Sequence, residues 1–141
     1  MYYEMEIGEA EALRQEPPDP EFFDEITKDA RGSTWAPWDF DMDAEWIVWD
    51  SLRSLKGLER IAELAQDRHV QHREFFVSVL YVAVGEILAT EQPSDSAIKC
   101  VRAIADRNSE SDLKDLNAWA MRVTKALGEA HFDRRSWQKF S

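Results

Sequence analysis

The segment from Phe75 to Ala89 constrains this chain more than any other. It reads Phe-Phe-Val-Ser-Val-Leu-Tyr-Val-Ala-Val-Gly-Glu-Ile-Leu-Ala, apolar on nearly every side however it is wound. An element without a polar face has to be enclosed by the rest of the chain, so the segment predicts a central, buried position. Ser78, Gly85 and Glu86 interrupt it, and it falls short of the roughly 20 apolar residues that cross a bilayer, so no membrane span is expected. Periodicity does not separate a buried helix from a buried strand, and the β-branched stretch from Phe76 to Val84 also suits a strand. Length and the continuation through Glu86-Ile87-Leu88-Ala89 decide for a central helix over about 74–90.

The flanking segments supply faces to enclose it. Asp19-Pro20-Glu21 has the form of a helix start, with Asp as N-cap and Pro at the first helical position, and predicts a helix from Pro20 to about Ala30. Asp41 or Asp43 can cap a second helix running from Ala44 towards Arg68. Its apolar face is Ile47, Val48, Leu52, Leu55, Leu58, Ile61, Ala62, Leu64 and Ala65, and Gly57 is the point at which it would split. Beyond the central segment, Pro93-Ser94-Asp95 opens a helix with Ala97, Ile98, Val101, Ile104 and Ala105 on one face and Lys99, Arg102, Asp106 and Arg107 on the other. A further helix from about Asp112 carries Leu113, Leu116, Trp119 or Ala120, Val123 and Leu127, with Gly128 as its stop. Phe132, Trp137 and Phe140 predict that the tail packs as well.

Only five Gly and five Pro leave little turn chemistry for a many-stranded sheet. The expected fold is therefore all-α: one compact domain over residues 1–141, a bundle of about five to seven helices, with residues 1–18 more loosely packed. A single cysteine, Cys100, excludes an internal disulfide framework. Together with the lack of a secretion signal, it suggests a reducing, cytoplasmic location.

The net charge of −11 is unevenly placed. Residues 1–50 hold 15 Asp and Glu against three bases, Arg14, Lys28 and Arg31, whereas residues 51–141 hold 13 acids against 14 bases. That partition disfavours direct nucleic-acid binding by the N-terminal third, because phosphate contact relies on clustered Lys and Arg. A basic protein partner or a cation suits it better.

The acid excess culminates between Trp35 and Asp50, where four of six tryptophans and five carboxylates fall within 16 residues. Three readings compete for this segment. Asp39, Asp41 and Asp43 occupy the first, third and fifth positions of a twelve-residue calcium loop, with Asp50 at the twelfth, which would make a divalent cation the cofactor. Ala44 stands where that loop needs Gly, and Asp50 replaces the longer bidentate Glu. The structural reading makes Asp41 or Asp43 a helix cap, Glu45 a partner of the helix dipole and the tryptophans core or loop anchors. In the interface reading, Trp35, Trp38, Trp46 and Trp49 anchor a partner while Asp39, Asp41, Asp43 and Glu45 attract and orient it.

The remaining constellations are weaker. His69 and His72 are three apart and could meet one metal ion, but no further His or Cys is near in sequence, so a polar connector is the better reading. Cys100 falls at helical spacing between Ala97 and Ile104, which fits a small buried core residue better than a nucleophile. The five glycines stand alone, so no phosphate-cradling loop is present, and no Gly-x-Ser-x-Gly signature occurs. Arg122, Lys125, Arg134, Arg135 and Lys139 lie among Trp137 and Phe140, but Glu129 and Asp133 dilute the charge. They read as a solvated helix face able to pair with the acidic N-terminal third.

In type, a small, acidic, helical, cysteine-poor chain with aromatic residues to spare is similar to bacterial inhibitor or immunity proteins that neutralise basic partners. The leading expectation is a noncatalytic protein-binding module acting through Trp35 to Asp50. A cation-dependent enzyme or sensor using Asp39, Asp41 and Asp43 is the second reading. A homo-oligomer whose acidic segment meets a neighbour's basic C-terminal region is the third.

Overall fold

The computed structural model describes residues 55–70, 73–90 and 92–139; within them lie five helices and no strand. They are α1 (Leu55–Gln66), α2 (Arg73–Ala89), α3 (Asp95–Asn108), α4 (Lys114–Leu127) and α5 (Arg134–Gln138). The expected helices over residues 20–30 and the first part of that over 44–68 lie outside the described residues.

In α2 every residue from Phe75 to Glu86 is buried. The helix packs against each of the other four, most extensively α1, and so takes the central position that its lack of a polar face requires. Val77, Val79, Val82 and Val84 have low intrinsic helix propensity, and Gly85 costs about 1 kcal/mol relative to Ala. Burial outweighs both, since each large apolar side chain removed from water contributes about 1.5–3 kcal/mol. Two hydroxyls in and just beyond the segment are turned on its own backbone: Ser78 Oγ donates to Glu74 O at 3.1 Å, and Thr90 Oγ1 to Glu86 O at 2.9 Å.

Helix α1 buries Gly57, Leu58, Ile61, Ala62, Leu64 and Ala65, one stripe at three- and four-residue spacing. Gly57 falls in the first turn of α1, and the stretch before Leu55 that would show a split lies outside the described residues. Gly57 lies on the buried stripe, where its lack of a side chain suits a packed face better than a break.

Helix α3 starts at the expected place. Ser94 is the N-cap, accepting from Ala97 N–H at 3.1 Å. Val101, Ile104 and Ala105 are buried, while Lys99, Arg102, Asp106 and Arg107 are exposed. Asn108 closes the helix from inside: it is buried, and its amide donates to Ile104 O at 2.8 Å and to Gln66 Oε1 at 2.9 Å, tying the end of α3 to the end of α1.

Helix α4 begins at Lys114, two residues later than the spacing suggests, with Leu113 in the N-cap position and no side-chain cap. The carboxylate of Asp112, just before the helix, pairs with Arg68 in the α1–α2 connector. Leu116, Trp119, Ala120 and Val123 are buried. Both Trp119 and Ala120 thus face the core, and the Trp119 indole N–H meets no acceptor among the described residues. Gly128 ends the helix as expected, although in right-handed geometry with φ −87° and ψ −8°.

The tail packs through α5. Trp137 is buried, its indole N–H donates to Tyr81 O at 2.7 Å, and its ring lies 5.5 Å from Tyr81 and 5.8 Å from Phe132. The described residues form an all-α bundle around α2, with none of their helices long and apolar enough to cross a membrane.

Candidate functional site

The acidic, tryptophan-rich segment, with Trp35, Trp38, Asp39, Asp41, Asp43, Glu45, Trp46 and Trp49, lies outside the described residues, and so does His72. His69 is exposed in the connector, its backbone N–H donating to Asp67 Oδ1 at 2.9 Å. Among the described residues no three His, Cys, Asp or Glu side chains come together as a metal site would require.

The charges that the structure does bring together join separate elements. Arg107 of α3 donates to Glu59 of α1 at 2.8 Å, and Arg68 pairs with Asp112. Both pairs are substantially exposed and contribute about 0–1 kcal/mol each. The pair between α2 and α4 is different. Arg73 grips Asp115 with both terminal nitrogens, and its side chain is only 14% exposed. A bidentate, sheltered guanidinium–carboxylate contact fixes orientation as well as charge. Sequence spacing gave no sign of it, because the partners are 42 residues apart.

Cys100 is half-buried at the edge of the core, with its thiol 3.7 Å from Glu59 Oε1. Burial, reinforced by the Glu59 carboxylate, pushes the thiol above its ordinary pKa. Both effects suppress the thiolate, so the environment is the reverse of one that activates a nucleophile.

The richest cluster is the corner between the end of α4 and α5. The Arg122 guanidinium donates to the Tyr81 hydroxyl at 2.6 Å and stands 5.9 Å from the ring centre. Burial raises the Tyr81 pKa even against this arginine. Asp133 caps α5, accepting from Arg135 N–H at 3.0 Å, Ser136 N–H at 3.3 Å and Ser136 Oγ at 2.8 Å. These bonds, those to Ser136 foremost, hold its carboxyl below the usual carboxylate range.

Between these groups opens a cleft of about 390 Å³ whose walls include Lys125, Ala126, Glu129, Phe132 and Trp137. The mixed basic and acidic sequence from Arg122 to Lys139 had suggested a plain solvated helix face. Lys125, Arg134, Arg135 and Lys139 are indeed exposed, but Trp137 and Phe132 turn inward and create a concavity beside them. The signal available in sequence was the Asp133-Arg-Arg-Ser136 cap, which starts a new helix five residues beyond Gly128 and folds the tail back. Comparison with known proteins leaves these sites to be read from their own chemistry, since no family model, curated protein or solved structure matches the chain.

Proposed function

We propose that the protein is a noncatalytic binding module, working in a reducing cytoplasmic setting, whose acidic N-terminal third engages a basic protein partner. Trp35, Trp38, Trp46 and Trp49 are the apolar anchors, and Asp39, Asp41, Asp43 and Glu45 steer and orient the approach. The observation that carries this reading is the partition of charge: 15 acids against three bases in residues 1–50, and near balance, 13 against 14, in the remainder. Self-neutralisation is arithmetically out of reach, because the rest of the chain has one spare positive charge. Several of its acids are already engaged as well: Glu59, Asp112 and Asp115 each pair with an arginine of another element. An excess of this size creates a field that raises encounter rates with cationic surfaces.

The test compares the full chain with a variant carrying Asp39→Asn, Asp41→Asn and Asp43→Asn. Both are immobilised, exposed to extract of the native host and eluted with a salt gradient; the association rate of the retained basic protein is then measured at low and high salt. The variant is expected to associate about tenfold more slowly at low salt, with a flatter salt dependence. Equal rates for the two chains would overturn the assignment of the site.

A further inference from the structure

The cleft at the α4–α5 corner is lined by residues between Arg122 and Trp137, none of them part of the acidic segment's sequence, and has the attributes of a small-molecule site. Its volume, about 390 Å³, lies within the range of about 300–1,000 Å³ that small ligands occupy, and an apolar wall with a few polar groups at its margin is the usual lining. Ala126, Phe132 and Trp137 supply the wall. The Trp137 indole N–H is already committed to Tyr81 O at 2.7 Å, so the ring offers the cleft its carbon and π surface.

The margin sets the charge of the occupant. Lys125 lines the cleft, is exposed, and enters no ion pair among the described residues. Arg122 lines it too, held in place by the Tyr81 hydroxyl. Of the two carboxylates present, that of Asp133 is turned to the start of α5, where three donors bind it without neutralising its charge. Glu129 is exposed and opposes two cations. Arg134, Arg135 and Lys139 follow in α5 and its cap, so five bases face two acids between Arg122 and Lys139 in a chain that is otherwise acidic.

We propose that this cleft binds a small aromatic carboxylate, its ring against Ala126, Phe132 and Trp137 and its charged group at Lys125 and Arg122. The ring buries apolar area, and the carboxylate meets an ammonium that enters no ion pair among the described residues. The field of the short basic tail adds to that attraction.

The probe is 2-naphthoate, titrated calorimetrically into the full chain, with 2-naphthalenemethanol as the uncharged counterpart. Saturable binding with a dissociation constant on the order of 0.1 mM is expected, and about fivefold or more weaker binding of the alcohol. Lys125→Glu should weaken naphthoate binding about tenfold. Lys114→Glu makes the same charge change at the far end of α4, about 16 Å along the axis, and should leave binding unchanged. Because Lys125 and Lys114 are exposed, neither change threatens folding. A heteronuclear NMR titration of the unaltered chain should move the Trp137 indole and Ala126 amide resonances. No saturable binding up to about 2 mM would overturn the proposal. So would equal affinity for the alcohol, an unaffected Lys125→Glu variant, or shifts confined to other residues. The two tests alter different residues and read different ligands, so the failure of one proposal is distinguishable from the failure of the other.

Discussion

Along α2 every residue from Phe75 to Glu86 is buried, whereas α5 is a five-residue helix that inserts one large side chain, Trp137, into the same core. The first is held by continuous apolar contact on all sides and needs little from its ends. The second is held by a capping carboxylate, one indole and one hydrogen bond to Tyr81 O. Burial distributed over many positions makes an element insensitive to local chemistry but intolerant of lost volume. A single anchor leaves its element close to the threshold of opening locally.

The contrast can be broken most directly at the centre. Leu80 is fully buried in α2, and Leu80→Ala should cost about 2–5 kcal/mol in urea or guanidinium unfolding, the combined loss of transfer energy and of contacts around the cavity. A cost below about 1 kcal/mol would mean that the centre of α2 is loosely packed, and the contrast with α5 would fail.

At the other extreme, Trp137→Phe keeps an aromatic ring but removes the indole N–H. The Tyr81 carbonyl lies inside α2, where the helical ladder supplies it with a donor, so the change removes a hydrogen bond without orphaning the acceptor. About 1–2 kcal/mol should be lost, counting the smaller ring. Hydrogen exchange should accelerate in α5 well before it does in α2. Uniform acceleration across both helices would show that the corner and the core open as one unit.

The same difference in how elements are held explains what could be read from sequence. The central position of α2, the start of α3 at Pro93-Ser94-Asp95 and the faces of α3 and α4 were legible, because each depends on periodicity or on contacts within a few residues. The start of α4 was legible to within two residues. The pairing of Asp112 with Arg68, 44 residues away, was not, because a long-range partner leaves no trace in spacing. At Gly57 the helical penalty is local and about 1 kcal/mol, while its burial against the core is a tertiary gain that spacing alone does not show. The C-terminal cleft went unread because charge counting saw Asp133 as dilution. Folded, Asp133 is the cap that starts the helix carrying Trp137 inward. The acidic tryptophan-rich segment was the clearest candidate in the sequence and lies outside the described residues, so its reading rests on composition.

The smallest expected effect sharpens the comparison at the hinge between α4 and α5. Glycine at a helix end commonly supplies a left-handed residue, and replacement is then costly. Gly128 instead has φ −87° and ψ −8°, a conformation open to any L-residue. A Cβ placed there would lie 3.5 Å from Lys125 O and 3.7 Å from Thr124 O, which is ordinary contact. Gly128→Ala should therefore stabilise the protein by about 0.4–1 kcal/mol, mainly by restricting the unfolded chain. The melting temperature should rise on the order of 2 °C. A loss of stability would show that the junction draws on left-handed geometry as the tail folds back. The corner would then be held by backbone strain at Gly128 as well as by Trp137, and the single-anchor account of α5 would have to give way.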